Sequence, residues 1–152
     1  MARVGVQRDF VADPAVTEAL WHDLDRWGGW VDGFGHVVRV DGDWPHAGAV
    51  VLWDSRPGGR GRVLERAVDY RPGAGHTVEV QDERLRGRQS VGFEALQGGV
   101  SVALELDYTL AASGALASLS DLLFIRRALR DSLLRTLVRF GQVLAQEPPA
   151  AR

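Results

Sequence analysis

Apolar residues recur at helical spacing through the C-terminal part of the chain. From Ala115 to Glu147, Leu119, Leu122, Leu129, Leu133, Leu137, Phe140 and Leu144 fall on one stripe, with Ile125 and Val143 beside it. Only Gly141 interrupts the run and Pro148-Pro149 stops it, so the spacing predicts one helix roughly 45 Å long. A helix of that length needs a broad apolar surface to lie along. Two cations break the stripe: Arg126 near its centre, and Arg130 one turn on.

The preceding residues read as the sheet that supplies that surface. Val4 and Val6 alternate with polar neighbours, predicting a strand over Ala2 to Phe10. Asp13-Pro14 is a helix start, a capping carboxylate before a proline at the first position, and Val16, Leu20 and Leu24 mark its apolar face. Gly28-Gly29 ends that helix, and Trp30 to Phe34 leaves room for a short second one. From Gly35 the period becomes two. Strands are expected over His36–Val40, Ala49–Asp54, Arg62–Tyr70, Thr77–Asp82, Gln89–Leu96 and Val100–Leu110. Asp41-Gly42-Asp43 with Trp44-Pro45, Pro57-Gly58-Gly59, Arg71-Pro72-Gly73, Arg86-Gly87 and Gly98-Gly99 punctuate them. In the last strand Val102, Leu104, Leu106, Tyr108 and Leu110 share one face and polar or small residues take the other, the pattern of an antiparallel sheet buried on one side.

The predicted architecture is α+β: a curved antiparallel sheet of about seven strands wrapped on a long C-terminal helix, with two short helices after the first strand. Residues 1–147 are expected to form a single domain and 148–152 a disordered C-terminal tail.

That order resembles the helix-grip superfamily of START-related and birch-pollen-allergen-like proteins. More narrowly, the chain is similar to the polyketide cyclase/dehydrase and lipid-transport family. The resemblance rests on Asp25-Arg26-Trp27 to Trp30, Gly48 to Trp53, Glu65 to Pro72, and the run Asp121-Leu122-Leu123-Phe124-Ile125-Arg126-Arg127. It implies a cavity between sheet and long helix that holds a hydrophobic small molecule. Some members of the family cyclise or dehydrate poly-β-keto chains, and others carry lipids. The implied function is binding of a hydrophobic, acidic or carbonyl-bearing ligand, with cyclase or dehydratase chemistry as one alternative. An interaction module whose pocket is filled by Trp53, Phe93 and Phe124 is another.

Candidate chemistry follows from polar groups placed to face inward. Arg126 is the first: a guanidinium keeps its proton, so burying one calls for a carboxylate or an anionic ligand. The same side chain can instead lay its stem over apolar surface, or pair with Glu65, Glu105 or Asp69. Arg130 stands nearer the edge of the stripe. Glu65 shares a face with Val63 and Ala67; the alternate register would bury Leu64, Val68 and Tyr70 and turn Arg66 inward. Arg126 and Glu65 are the candidate catalytic residues, Glu65 as a base or as the partner of Arg126. Trp53, Phe93, Tyr108, Leu122, Leu129 and Leu133 are candidate cavity walls. Alternate turns of a meander emerge at one end, so Arg56, Arg60 and Arg62 are expected beside Arg84, Arg86 and Arg88. That basic rim at the cavity mouth could receive a carboxylate, a phosphate or an acidic carrier protein.

Composition narrows the classes. The 152 residues include no cysteine, which removes disulfides and thiolate metal sites and fits a reducing compartment. His22, His36, His46 and His76 show no metal spacing, so no metal or cofactor is expected. A net charge of −2 predicts neither nucleic-acid nor membrane binding. No apolar run is long enough to span a bilayer, and Met1 to Phe10 lacks the apolar core of a signal peptide, so a cytoplasmic protein is expected.

Overall fold

The computed structural model describes residues 1–111 and 118–149. Seven strands, β1 (Ala2–Phe10), β2 (Phe34–Asp41), β3 (Val50–Ser55), β4 (Arg62–Arg71), β5 (Gly75–Gln81), β6 (Leu85–Leu96) and β7 (Gly99–Leu110), form one antiparallel sheet. Their order is β1-β7-β6-β5-β4-β3-β2. The last six make a simple meander, and the first pairs with the last, Val4 opposite Leu106. Asp13 caps α1 (Pro14–His22), its carboxylate accepting from the amides of Ala15 and Val16. The long helix, α2 (Leu119–Leu144), opens on a capping box. Ser118 Oγ accepts from the Asp121 amide at 3.1 Å, and the Asp121 carboxylate accepts from the Ser118 amide at 3.2 Å. The expected start at Ala115 to Ala117 lies outside the described residues, as do positions 150–152 of the expected tail.

Three local expectations are corrected. The second short helix is a 3-10 turn at Leu24–Gly29, immediately after α1 rather than at Trp30 to Phe34. Arg86-Gly87 is not a turn, because β6 begins at Leu85 and runs through it. The turn is Asp82 to Arg84, where the Asp82 carboxylate accepts from the amides of Arg84 at 2.8 Å and Leu85 at 3.0 Å. Gly87 serves close approach instead: a Cβ there would lie 1.9 Å from the Asp107 carbonyl oxygen. The helix also ends at Leu144, short of Glu147.

The core is aromatic and sits under the C-terminal half of α2. Trp21 lies 4.5 Å from Trp30 and 5.1 Å from Phe140, centroid to centroid, and Phe34 lies 5.3 Å from Trp53. Leu133, Leu137, Phe140 and Leu144 are the buried apolar residues of the helix. Gly141 lets Phe10 close on it, since a Cβ there would meet the Phe10 ring at 2.5 Å.

One carboxylate fixes the position of α2. Asp32, between the 3-10 turn and β2, accepts from Ser132 Oγ at 2.7 Å and from Arg135 at 3.1 and 3.0 Å, while its amide donates to Thr136 Oγ1 at 3.0 Å. Arg139 reaches it at 3.4 Å. Burial pushes the Asp32 pKa up, but the Arg135 and Ser132 hydrogen bonds and the two guanidinium charges outweigh it and hold the group below the usual carboxylate range. N-terminal to this clip the helix leaves the sheet. Leu119, Leu122, Leu123 and Phe124 are 74%, 41%, 57% and 74% exposed.

Candidate functional site

Two hollows lie between α2 and the rest of the described fold. The first is internal and small, about 60 Å³, which is room for roughly two waters at their liquid density. Trp21, Trp27, Trp30, Trp53 and Leu133 wall it, and its polar groups are Glu65, Arg60, Gln89, Asp32, Ser132 and Thr136.

Glu65 faces this hollow, so the register that groups it with Val63 and Ala67 is the one adopted. The alternate grouping is partly realised too. A register shift between Ala67 and Asp69 brings Tyr70 opposite the buried His76, so both Ala67 and Tyr70 reach the inner side. Glu65 Oε2 accepts from Trp53 Nε1 at 2.6 Å. Burial pushes its pKa up, opposed by that hydrogen bond and by the charge of Arg60. Arg60 is itself held, with Nε 2.7 Å from the Asp82 carboxylate and the guanidinium 5.7 Å from the Trp53 ring centroid.

The second hollow is an open groove of about 380 Å³ between the β1–β7 edge and the lifted end of α2. Met1, Ala2, Tyr108, Thr109, Leu110, Leu122, Leu123 and Arg126 line it. Arg126 is therefore exposed at a groove lip, not projecting into the core. The expectation that it points inward is corrected: the helical stripe continues through residue 126, but there it borders an open groove against β1 and β7 and not the packed core. It forms no ion pair with Glu65, Glu105, Asp69 or any other described residue. Arg126 and Glu65 line different hollows that have no residue in common, so the candidate pair is not assembled.

The remaining candidates separate in the same way. Leu133 and Trp53 line the internal hollow, and Tyr108 and Leu122 the groove. Phe93 is core, against Trp21 and His22, and Leu129 packs partly buried at the core's edge. Phe124, expected to help fill the pocket, is exposed. Arg130 is exposed on the outer side of the helix with Arg127. The β3–β4 and β5–β6 turns do share an end, as the Arg60–Asp82 pair shows, but they do not present a uniform basic rim. Arg62 pairs with Asp54 at 2.9 Å and Arg88 with Glu79 at 3.5 Å. Arg86 and Arg88 lie on the outer face of the sheet, while Arg56 and Arg84 stay exposed in their turns.

Two groupings escape sequence reading. Ser132 and Thr136, four residues apart beside the helical stripe, were a visible signal for a polar partner, which is Asp32. His22 and His76 carried no signal. They meet edge to face at 4.8 Å, next to Tyr70, and His76 Nε2 donates to the Pro45 carbonyl at 2.9 Å. Neither His22 nitrogen has a hydrogen-bond partner among the described residues, and burial, with a smaller contribution from His76, pushes its pKa down to about 3.

The family described as polyketide cyclase / dehydrase and lipid transport matches residues 1–145. A START superfamily protein from Mycobacterium smegmatis has a similar structure, with a TM-score of 0.76 at 9% identity, covering 95% of this chain and 97% of that one. Ginseng major latex-like protein 151 from Panax ginseng gives 0.70 at 16% identity, over 94% and 97% of the two chains. Truncated norcoclaurine synthase from Thalictrum flavum gives 0.70 at 9%, over 97% and 95%. At these identities the likeness is one of fold. No curated protein sequence matches the chain.

Proposed function

The chain belongs to the polyketide cyclase/dehydrase and lipid-transport family, and on that premise we propose that it binds an acidic hydrophobic small molecule in the groove under the first turns of α2. The observation that carries this reading is the groove itself: about 380 Å³, walled by Tyr108, Leu110, Leu122 and Leu123, with Arg126 at its lip. The groove is open and mainly apolar, whereas the internal hollow is too small for any lipid or polyketide. The apolar walls take the hydrocarbon, and the guanidinium takes the carboxylate or enolate end. Titration with cis-parinaric acid, followed by ligand fluorescence, tests it. Arg126→Leu is expected to weaken the acid about fivefold, as fits a charge pair near water, and to leave the corresponding alcohol bound as before. Leu122→Asp is expected to weaken both. Unchanged affinity for the acid in both variants would remove the groove from the function.

A second reading rests on Glu65. A carboxyl whose pKa is raised by burial is suited to donate a proton to a carbonyl, the step a cyclase or dehydratase needs. The hollow must enlarge to admit a substrate. Turnover of a poly-β-keto thioester mimic that is lost in Glu65→Gln and kept in Arg126→Leu would support this reading. No turnover by the wild-type chain would end it.

A further inference from the structure

We propose that the free end of α2 docks the protein on anionic lipid bilayers. This deepens the ligand reading, since it supplies the place where an acidic hydrophobic molecule is taken up or released. Leu119, Leu123 and Phe124 are each more than half exposed, in a chain whose other large apolar side chains are mostly buried. At about 100° per residue, Leu119 and Phe124 lie about 140° apart round the helix. The end of α2 is therefore an apolar tip, not a flat stripe. A tip suits a fluid layer that closes round it better than a rigid protein face.

Charge selects the same partner. Directly behind the tip come Arg126, Arg127 and Arg130, all exposed. None forms an ion pair among the described residues, whereas Arg135 and Arg139, further along the same helix, are both held by Asp32. Asp121, held in the capping box, and Asp131, on the same surface as Arg127 and Arg130, carry the opposite charge but are outnumbered. The net charge of −2 describes the whole chain, but over positions 118–131 arginines outnumber carboxylates three to two. Apolar residues that insert and arginines that meet phosphates are the arrangement by which a helix holds an anionic interface. The groove opens between this tip and β1–β7, so a bilayer contacted here lies against its mouth.

Flotation of the full chain with vesicles tests the proposal, comparing phosphatidylcholine alone with an equimolar mixture of phosphatidylcholine and phosphatidylglycerol. The wild type is expected to bind the mixed vesicles, more weakly as salt is raised, and to leave the neutral ones. Arg127→Gln/Arg130→Gln, both outside the groove, is expected to lose about fivefold for each arginine removed. Leu119→Ser/Phe124→Ser is expected to abolish binding. Equal binding to both vesicle types, or none, would overturn the proposal. So would a wild-type dimer in sedimentation equilibrium that is lost in the Leu119/Phe124 variant, which would assign the tip to a second copy of the chain. Parinaric acid titration of the same variants without vesicles separates the two readings. Vesicle binding without acid binding sinks the ligand site alone, and acid binding without vesicle binding sinks the docking alone.

Discussion

The Trp53 indole donates to the Glu65 carboxylate at 2.6 Å, beside an internal hollow with room for about two waters. This hydrogen bond favours the ionised acid, yet burial wins and the pKa is raised. A carboxyl raised on folding binds more protons folded than unfolded, so it costs stability as pH rises through the ordinary carboxylate range. Glu65→Gln keeps an acceptor for Trp53 and removes that cost. The variant is expected to melt higher than wild type at pH 8, with the difference vanishing at pH 4; a constant difference across pH would contradict it.

Asp32 has the opposite sign. Its pKa is lowered on folding, so its contribution is complete above the unfolded value, about 3.9, and is lost as pH falls through the folded one. Asp32→Ala is expected to cost about 1–2 kcal/mol at neutral pH, a figure held down by solvent screening of the partly exposed arginines. Urea denaturation measures the loss. Hydrogen exchange should quicken first at Ser132 to Arg139.

His22→Phe is expected to stabilise the protein. It removes two buried nitrogens without protein partners, which is worth about 1–2 kcal/mol at neutral pH. The histidine pKa falls to about 3 on folding, so the wild type loses stability as pH drops from the ordinary value of about 6.5 toward 3. Thermal melts between pH 7 and pH 5 should show a shallower decline in the variant.

Gly87→Ala places a methyl group 1.9 Å from the Asp107 carbonyl oxygen, against backbone that cannot swing aside. A cost of about 2–3 kcal/mol is expected, typical of a forced steric shift. Equilibrium unfolding that matches wild type would mean that β6 and β7 do not pair as described.

Sheet and helix were legible because each carries its period in the chain. Val102 to Leu110 could be nothing but a one-sided strand, and the leucines up to Leu144 nothing but a helical stripe. The register at Glu65 stayed open for a physical reason: the irregularity after Ala67 puts members of both groupings on the inner side. Arg126 was misplaced because a stripe tells which side of a helix faces inward, not whether anything lies beneath it. Arg86-Gly87 read as a turn because glycine marks close backbone approach as well as reversal, and composition alone does not separate the two. His22 and His76 stand far apart in the chain, and only the curl of the sheet joins them.

Among the described residues nothing closes over the groove. An acid bound under the first turns of α2 would leave without any strand unpairing or helix lifting, so its residence would follow from apolar contact and the Arg126 charge pair. Release of a fatty acid in stopped-flow should be a single fast phase, insensitive to substitutions that slow breathing of the fold.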